Sequence, residues 1–144
     1  MFKKLDNRIS ASAQITVDDV KRAAAEGFGV IVNNRPEDES PDQTPGSAIE
    51  AAAQAAGLEY FAIPIGHTGF SAPQIAAMQQ VMADANDKRI LAYCRSGTRS
   101  TFLWSLAEAG NGRDPQEIVA AAAGAGYDVS HIRPQLDMLA AQAK

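Results

Sequence analysis

The reactive side chains of this protein are concentrated in one short segment, Cys94-Arg95-Ser96-Gly97-Thr98-Arg99-Ser100, which holds its only cysteine. The apolar run at 90–93 precedes this segment and is typical of a buried strand, so the thiol lies where a strand enters a loop. Backbone N–H groups, an arginine and a helix N-terminus at such a place favour the thiolate. A lone cysteine is also common as an inert apolar residue of a core. We interpret Cys94 as a nucleophile because of the loop that follows it.

The other residues of this loop have distinct expected roles. Gly97 lets the loop turn tightly, so that backbone N–H groups converge on an anion. Arg99 adds a fixed positive charge with planar, forked donors, and Ser100 is expected to donate its hydroxyl to the sulfur. We expect Cys94, Arg99 and Ser100 to be catalytic. The residues expected to bind the substrate anion are Arg95 (unless it faces solvent), Ser96, Gly97, Thr98 and, from another loop, His67.

Helix and strand patterns alternate along the rest of the chain. Thr16 with Asp19, and Ser47 with Glu50, have the spacing of helix capping boxes, and Gly57 ends the second of these helices. The predicted strands are 29–33, 58–65 and 89–93, and the predicted helices are 16–26, 47–56, 71–86, 101–109, 114–123 and 132–141. This alternation is typical of a mainly parallel sheet flanked by helices. We therefore predict a single α/β domain over residues 1–144.

Length, charge and cysteine content exclude several classes of protein. The 144 residues carry a formal net charge of −4 and are 46% hydrophobic, as in an ordinary soluble globular protein. This charge provides no driving force for binding nucleic acid or an anionic membrane, so neither is an expected partner. One cysteine permits no intramolecular disulfide, and no apolar stretch follows the early lysines as in a signal peptide. The expected location is the cytoplasm.

Two further loops follow predicted strands. The loop at 35–45 holds three prolines and four carboxylates, so it is interpreted as a surface loop with solvated acidic side chains. Those acidic residues are Glu37, Asp38, Glu39 and Asp42. Arg35, at the start of this loop, either lines the pocket or forms a structural ion pair. The loop at 66–71 has no carboxylate, and His67 is its one titratable residue.

The chain offers no pattern typical of a metal or cofactor site. His131 opens the last predicted helix and is assigned a structural role. Two histidines and one cysteine without ligand-like spacing predict no metal site, and no cofactor is expected.

The cysteine segment resembles the active-site loops of cysteine-dependent phosphatases and of rhodanese sulfurtransferases. The runs GVIVNNRP from Gly29 and YFAIPI from Tyr60, followed by the cysteine loop, resemble dual-specificity phosphatases in the same order. Over nearly the whole chain, the sequence is similar to the phosphatase-like domain of bacterial beta-lactamase-hydrolase-like proteins. This resemblance implies a dual-specificity-phosphatase-like fold and a cysteine-dependent reaction.

Two departures from the phosphatase pattern bear on the reaction. Phosphatases of this superfamily keep five residues between the cysteine and the arginine, whereas this chain keeps four, as rhodaneses do. A shorter loop makes a tighter cradle, which suits a persulfide sulfur better than a phosphoryl group. Phosphatases also carry a general-acid aspartate after the strand that ends here in Ile63-Pro64-Ile65, and that proton is worth about two to four decades in rate. The loop at 66–71 has no such acid, and sulfur transfer needs none because its leaving groups are weak bases.

These departures favour sulfur transfer through a persulfide on Cys94. The expected partners are a small anionic sulfane-sulfur donor as substrate and an external thiol as acceptor. The alternative is a phosphatase that acts on phosphotyrosine or small phosphoesters through a phosphocysteine. A third possibility is a module that binds anions without turnover.

Overall fold

Five strands form one sheet in the order β1-β2-β5-β3-β4. The computed structural model describes residues 2–143. The strands are β1 (Lys3–Lys4), β2 (Ile9–Ser12), β3 (Phe28–Asn33), β4 (Glu59–Ala62) and β5 (Arg89–Tyr93). Strands β2, β5, β3 and β4 are parallel to one another, and β1 pairs with β2 in antiparallel orientation at the edge. The carboxyl ends of the four parallel strands therefore lie along one edge of the sheet, with β5 between β2 and β3.

Helices cover both faces of this sheet. They are α1 (Val17–Ala25), α2 (Gly46–Ala55), α3 (Ala72–Asp84), α4 (Thr98–Gly110), α5 (Pro115–Gly124) and α6 (Arg133–Gln142), with a 3-10 turn at Ser130–Ile132. Helices α1 and α2 pack on one face, and α3 to α6 pack on the other. The predicted α/β architecture with a mainly parallel sheet is confirmed. Within residues 2–143, no helix is long and apolar enough to cross a membrane.

Alternate residues of the central strands build the two cores. In β5, Ile90 and Ala92 face the helices α3 to α6, whereas Leu91 and Tyr93 face α1 and α2. Both sets are buried, so residues 90–93 of the strand form a continuous apolar run on both faces. This property makes β5 recognisable from the sequence, and it fixes the position of the thiol that follows.

Most predicted elements occur where the sequence places them, with shifted ends. Two strands of the sheet, β1 and β2, are absent from the sequence-based prediction. In β2, Ser10 and Ser12 interrupt the apolar pattern, although both are buried. Helix α4 begins at Thr98 rather than at Thr101, so the helix starts inside the cysteine loop.

The start of α2 corrects one of the two predicted capping boxes. Thr16 and Asp19 form theirs, but Ser47 and Glu50 do not, because α2 already begins at Gly46. The carboxylate of Glu37 instead accepts the Gly46 N–H at 2.9 Å. A negative charge at a helix N-terminus is favoured by the helix dipole and by the free N–H groups there. The acidic loop after β3 therefore has a structural role at Glu37.

Candidate active site

Cys94 lies directly after β5, at the middle of the carboxyl edge of the sheet. Its backbone N–H donates to the carbonyl of Ser12 at the end of β2, which fixes the start of the loop. The side chain is a free thiol and is fully buried from solvent. The backbone N–H of Gly97 donates to the Cys94 sulfur at 3.1 Å. An N–H group aimed at the sulfur stabilises negative charge there, as a thiolate nucleophile requires.

The loop after Cys94 presents a helix N-terminus to this sulfur. Gly97 is the N-cap of α4 with a φ of 92°, a left-handed conformation that glycine adopts without strain. The first helical hydrogen bond runs from the Thr101 N–H to the Gly97 carbonyl. The N–H groups of Arg99 and Ser100, which precede Thr101 in the first turn, consequently have no helical acceptor. Together with the positive end of the helix dipole, they are suited to bind an anion.

Arg99 is anchored by a carboxylate from a distant loop. Its Nη1 and Nη2 donate to Oε2 and Oε1 of Glu39 at 2.7 and 2.8 Å, and Nη1 also donates to the carbonyl of Ile65 at 2.7 Å. These bonds do not use the Nε–H and the second Nη2–H, which share one edge of the guanidinium and are suited to bind an anion. Arg99 also interacts with the Cys94 side chain through a hydrogen bond. The hydrogen bond to Glu39 raises the pKa of Arg99, burial opposes it, and the charge of Cys94 adds to the increase.

Glu39 is bound by a second arginine. Arg35 is buried, and its Nε donates to Glu39 at 2.9 Å while its Nη1 donates to the Gln14 side chain at 3.0 Å. The hydrogen bond from Arg99 and then that from Arg35 lower the pKa of Glu39 to about 2, against the effect of burial. The expectation that Glu39 is solvated is wrong, because both of its oxygens are engaged by guanidinium groups. For Arg35, the ion-pair interpretation is the one observed.

Ser100 makes a different contact from the one expected. Its hydroxyl is buried and donates to Oδ1 of Asn34 at 2.8 Å, not to the sulfur. The Asn34 side chain in turn donates to the carbonyl of Ile63, and its backbone N–H donates to the carbonyl of Tyr93. Ser100 thus ties the start of α4 to the ends of three strands, because Asn34, Ile63 and Tyr93 follow or end β3, β4 and β5.

The remaining predicted loop residues are at the surface. Arg95 and Ser96 are exposed and Thr98 is partly exposed, so Arg95 is open to solvent at the rim of the loop. The Ser96 hydroxyl donates to Thr98 Oγ1 at 3.0 Å. His67 is exposed, and no hydrogen bond or ion pair joins it to another residue in the described part of the chain. Within 2–143, no group of three or more His, Cys, Asp or Glu side chains could hold a metal ion.

No motif in the sequence indicates that Tyr127 lies near the cysteine loop. Tyr127, which follows α5, donates its hydroxyl to the carbonyl of Ser96 at 3.2 Å. Burial, followed by the charge of Cys94, raises the pKa of Tyr127. A tyrosine after a helix-ending glycine has no motif that links it to a residue 31 positions away, so only the tertiary structure reveals this contact.

Residues 1–111 match the family model of the phosphatase-like domain of beta-lactamase hydrolase-like proteins. The beta-lactamase hydrolase-like protein of Xylella fastidiosa strain 9a5c is 33% identical over 139 residues, which are 96% of this chain and 32% of that protein. The chain spans between 25 and 32% of the length of the curated relatives it matches.

Solved structures show the same relationship at the level of the fold. A candidate phosphatase from Neisseria meningitidis Z2491 is 30% identical with a TM-score of 0.82, covering 96% of this chain and 97% of its own. The active form of Tk-PTP is 18% identical with a TM-score of 0.75, and the match covers 98% of this chain and 97% of Tk-PTP. The dual-specificity-phosphatase-like fold is confirmed. Together, the comparisons favour a phosphatase-like cysteine enzyme, the alternative hypothesis, over the sulfurtransferase that the loop spacing predicted.

Proposed function

Since the chain belongs to the family of phosphatase-like domains of beta-lactamase hydrolase-like proteins, we propose that it is a phosphatase that works through a phosphocysteine on Cys94. The observation that carries this proposal is the pair of donors at the thiol. The Gly97 N–H lies 3.1 Å from the sulfur, and one edge of the Arg99 guanidinium is left to bind an anion. A nucleophile beside oriented cationic and N–H donors suits attack on a phosphoryl group.

In the first step, the Cys94 thiolate attacks phosphorus. A sulfur–phosphorus bond forms, the phosphorus–oxygen ester bond breaks, and the leaving oxygen takes the electron pair of that bond. The free edge of Arg99 and the first N–H groups of α4 stabilise the charge on the other phosphoryl oxygens. In the second step, water attacks phosphorus, the thiolate leaves, and inorganic phosphate is released with loss of one proton to solvent.

The leaving group decides which phosphoesters suit this site. An alkoxide leaving group needs a proton in the transition state, and the loop at 66–71 offers no carboxylate to supply it. A phenolate is a much weaker base and depends less on such an acid. The substrate class that follows is an aryl phosphate, including phosphotyrosine, with solvent or the exposed His67 as the source of the proton.

The spacing of four residues between Cys94 and Arg99 does not oppose this proposal. The position of the Arg99 guanidinium depends on its bonds to Glu39 and to the Ile65 carbonyl, and not on residue count alone. The same spacing, with the missing loop acid, is what motivates sulfur transfer as a second candidate function. A module that binds phosphate without turnover is the third.

The test offers an aryl phosphate and thiosulfate to one preparation of the protein. We expect turnover of the aryl phosphate, its loss in Cys94→Ser, and no added sulfur on the protein by intact mass spectrometry after thiosulfate treatment. Ser130→Ala is the control variant, because its hydroxyl is exposed and donates to Asp128, away from the cysteine loop. A sulfur adduct on Cys94 without phosphate release would replace the proposal with sulfur transfer. Phosphate binding without turnover of any aryl phosphate would leave a binding module.

A further inference from the structure

We propose that Tyr127 is a positioning residue for Cys94, because its hydroxyl holds the Ser96–Gly97 peptide with the N–H aimed at the sulfur. The two hydrogen bonds belong to one peptide unit. The Ser96 carbonyl accepts from the Tyr127 hydroxyl at 3.2 Å, and the Gly97 N–H donates to the Cys94 sulfur at 3.1 Å. In a planar trans peptide the carbonyl and the N–H point in opposite directions. Fixing the carbonyl therefore directs the N–H.

The position of Tyr127 is set by the end of α5. Gly126 has a φ of 98°, and its N–H bonds the carbonyl of Ala123 while the Tyr127 N–H bonds the carbonyl of Ala122. This pair of bonds is a Schellman motif, which fixes the direction of the chain after a helix. Tyr127 lies beyond the residues matched by the family model, so a segment outside that match contributes to the cysteine site.

The Tyr127 hydroxyl also restricts the conformation of Gly97. A Cβ atom at Gly97 would collide with the Tyr127 hydroxyl on one side and lie 3.3 Å from the backbone of Ser12 on the other. The peptide is thus enclosed between the end of β2 and the segment after α5.

Within residues 2–143, Arg99 and Tyr127 are titratable side chains that interact electrostatically with Cys94. Arg99 approaches from α4, with Glu39 behind it, and Tyr127 approaches from the segment after α5. Burial and the Cys94 charge both raise the pKa of Tyr127, so its hydroxyl remains a protonated donor when the thiolate is present. Tyr127 therefore acts on the thiolate through the peptide, without giving up its proton.

The experiment measures the rate of Cys94 alkylation by iodoacetamide as a function of pH. We expect Tyr127→Phe to move the midpoint of this profile upward by about 0.5–1 pH unit, the size of one weakened hydrogen bond to a charged group. The ring and its packing are retained, so a purely structural role would leave the midpoint unchanged. Ser130→Ala removes a hydroxyl from the same segment and is the control.

A second variant keeps the test decisive if Tyr127→Phe does not fold. Gly126→Ala strains the Schellman motif and displaces Tyr127 while retaining its hydroxyl, so the same upward shift is expected. An unchanged midpoint in every folded variant overturns the proposal. The proposal rests on the proposed nucleophilic role of Cys94, but alkylation is independent of the reaction catalysed. Absence of aryl phosphate turnover with a shifted midpoint would refute only the phosphatase function.

Discussion

Arg99 and Glu39, which are 60 residues apart in the sequence, form a forked ion pair with hydrogen bonds of 2.7 and 2.8 Å. The pair joins the first turn of α4 to the loop after β3. Arg35 holds the same carboxylate from the other direction. The cation of the candidate active site is therefore oriented before any substrate arrives, and such preorganisation lowers the cost of binding an anion.

Replacing Arg99 by lysine should remove the forked donors while retaining the charge. Lysine cannot bind Glu39 and a phosphoryl group with one planar group, so kcat/KM for an aryl phosphate should fall by about 100- to 1,000-fold. Steady-state kinetics measure this effect. Arg133→Lys, in the exposed pair with Asp137, should leave kcat/KM unchanged. Equal activity of Arg99→Lys and the wild type would contradict the role of Arg99 in binding the anion.

Replacing Glu39 by glutamine should weaken both stability and catalysis. The change leaves two guanidinium groups without their shared negative charge, and the free energy of unfolding should fall by about 1–3 kcal/mol. Urea denaturation measures this change. The ion pair between Glu59 and Lys88 is about half exposed. Glu59→Gln should therefore lower the free energy of unfolding by about 0–1 kcal/mol. Equal losses in the two variants would show that the Glu39 contacts contribute no more than a surface pair.

The pH dependence of the free energy of unfolding should reveal the lowered pKa of Glu39. Its pKa falls from an ordinary 4.5 to about 2 in the folded protein, chiefly through the Arg99 hydrogen bond. The folded state therefore binds this proton less well than the unfolded state, and the Glu39 contribution is complete above pH 4.5 and lost as the pH falls towards 2. The difference in unfolding free energy between wild type and Glu39→Gln should shrink across this window. A constant difference would exclude the pKa shift.

Gly97→Ala should reduce stability and activity more than Gly57→Ala, although both substitutions place alanine at a positive φ. Gly97 and Gly57 have φ values of 92° and 81°, so alanine at either should cost about 1–2 kcal/mol of backbone strain. At Gly57 nothing lies within 4 Å of the new Cβ, whereas at Gly97 it meets the Tyr127 hydroxyl. We expect Gly97→Ala alone to lose activity and to be the less stable variant in thermal unfolding. Equal stability and activity of the two would refute the collision.

The sequence determined those features that depend on neighbouring residues. The apolar run of β5 and the small residues of the loop after it predict a buried strand and a helix N-terminus, because strand burial and capping are local properties. The nucleophilic role of Cys94 stays a prediction. The alternation of strands and helices likewise predicts the α/β fold. The spacing of four residues suggested sulfur transfer, but the comparisons favour a phosphatase-like enzyme.

Only the tertiary structure decided which groups surround Cys94. Glu39 belongs to an acidic loop that looks solvated in sequence, and Tyr127 follows a helix far along the chain. Both reach the site because the sheet order places the ends of β2, β3 and β5 side by side and α5 packs beside α4. Charge pairing and hydrogen bonding act at short range in space, without regard to separation along the chain. Their partners therefore cannot be inferred until the elements are assembled.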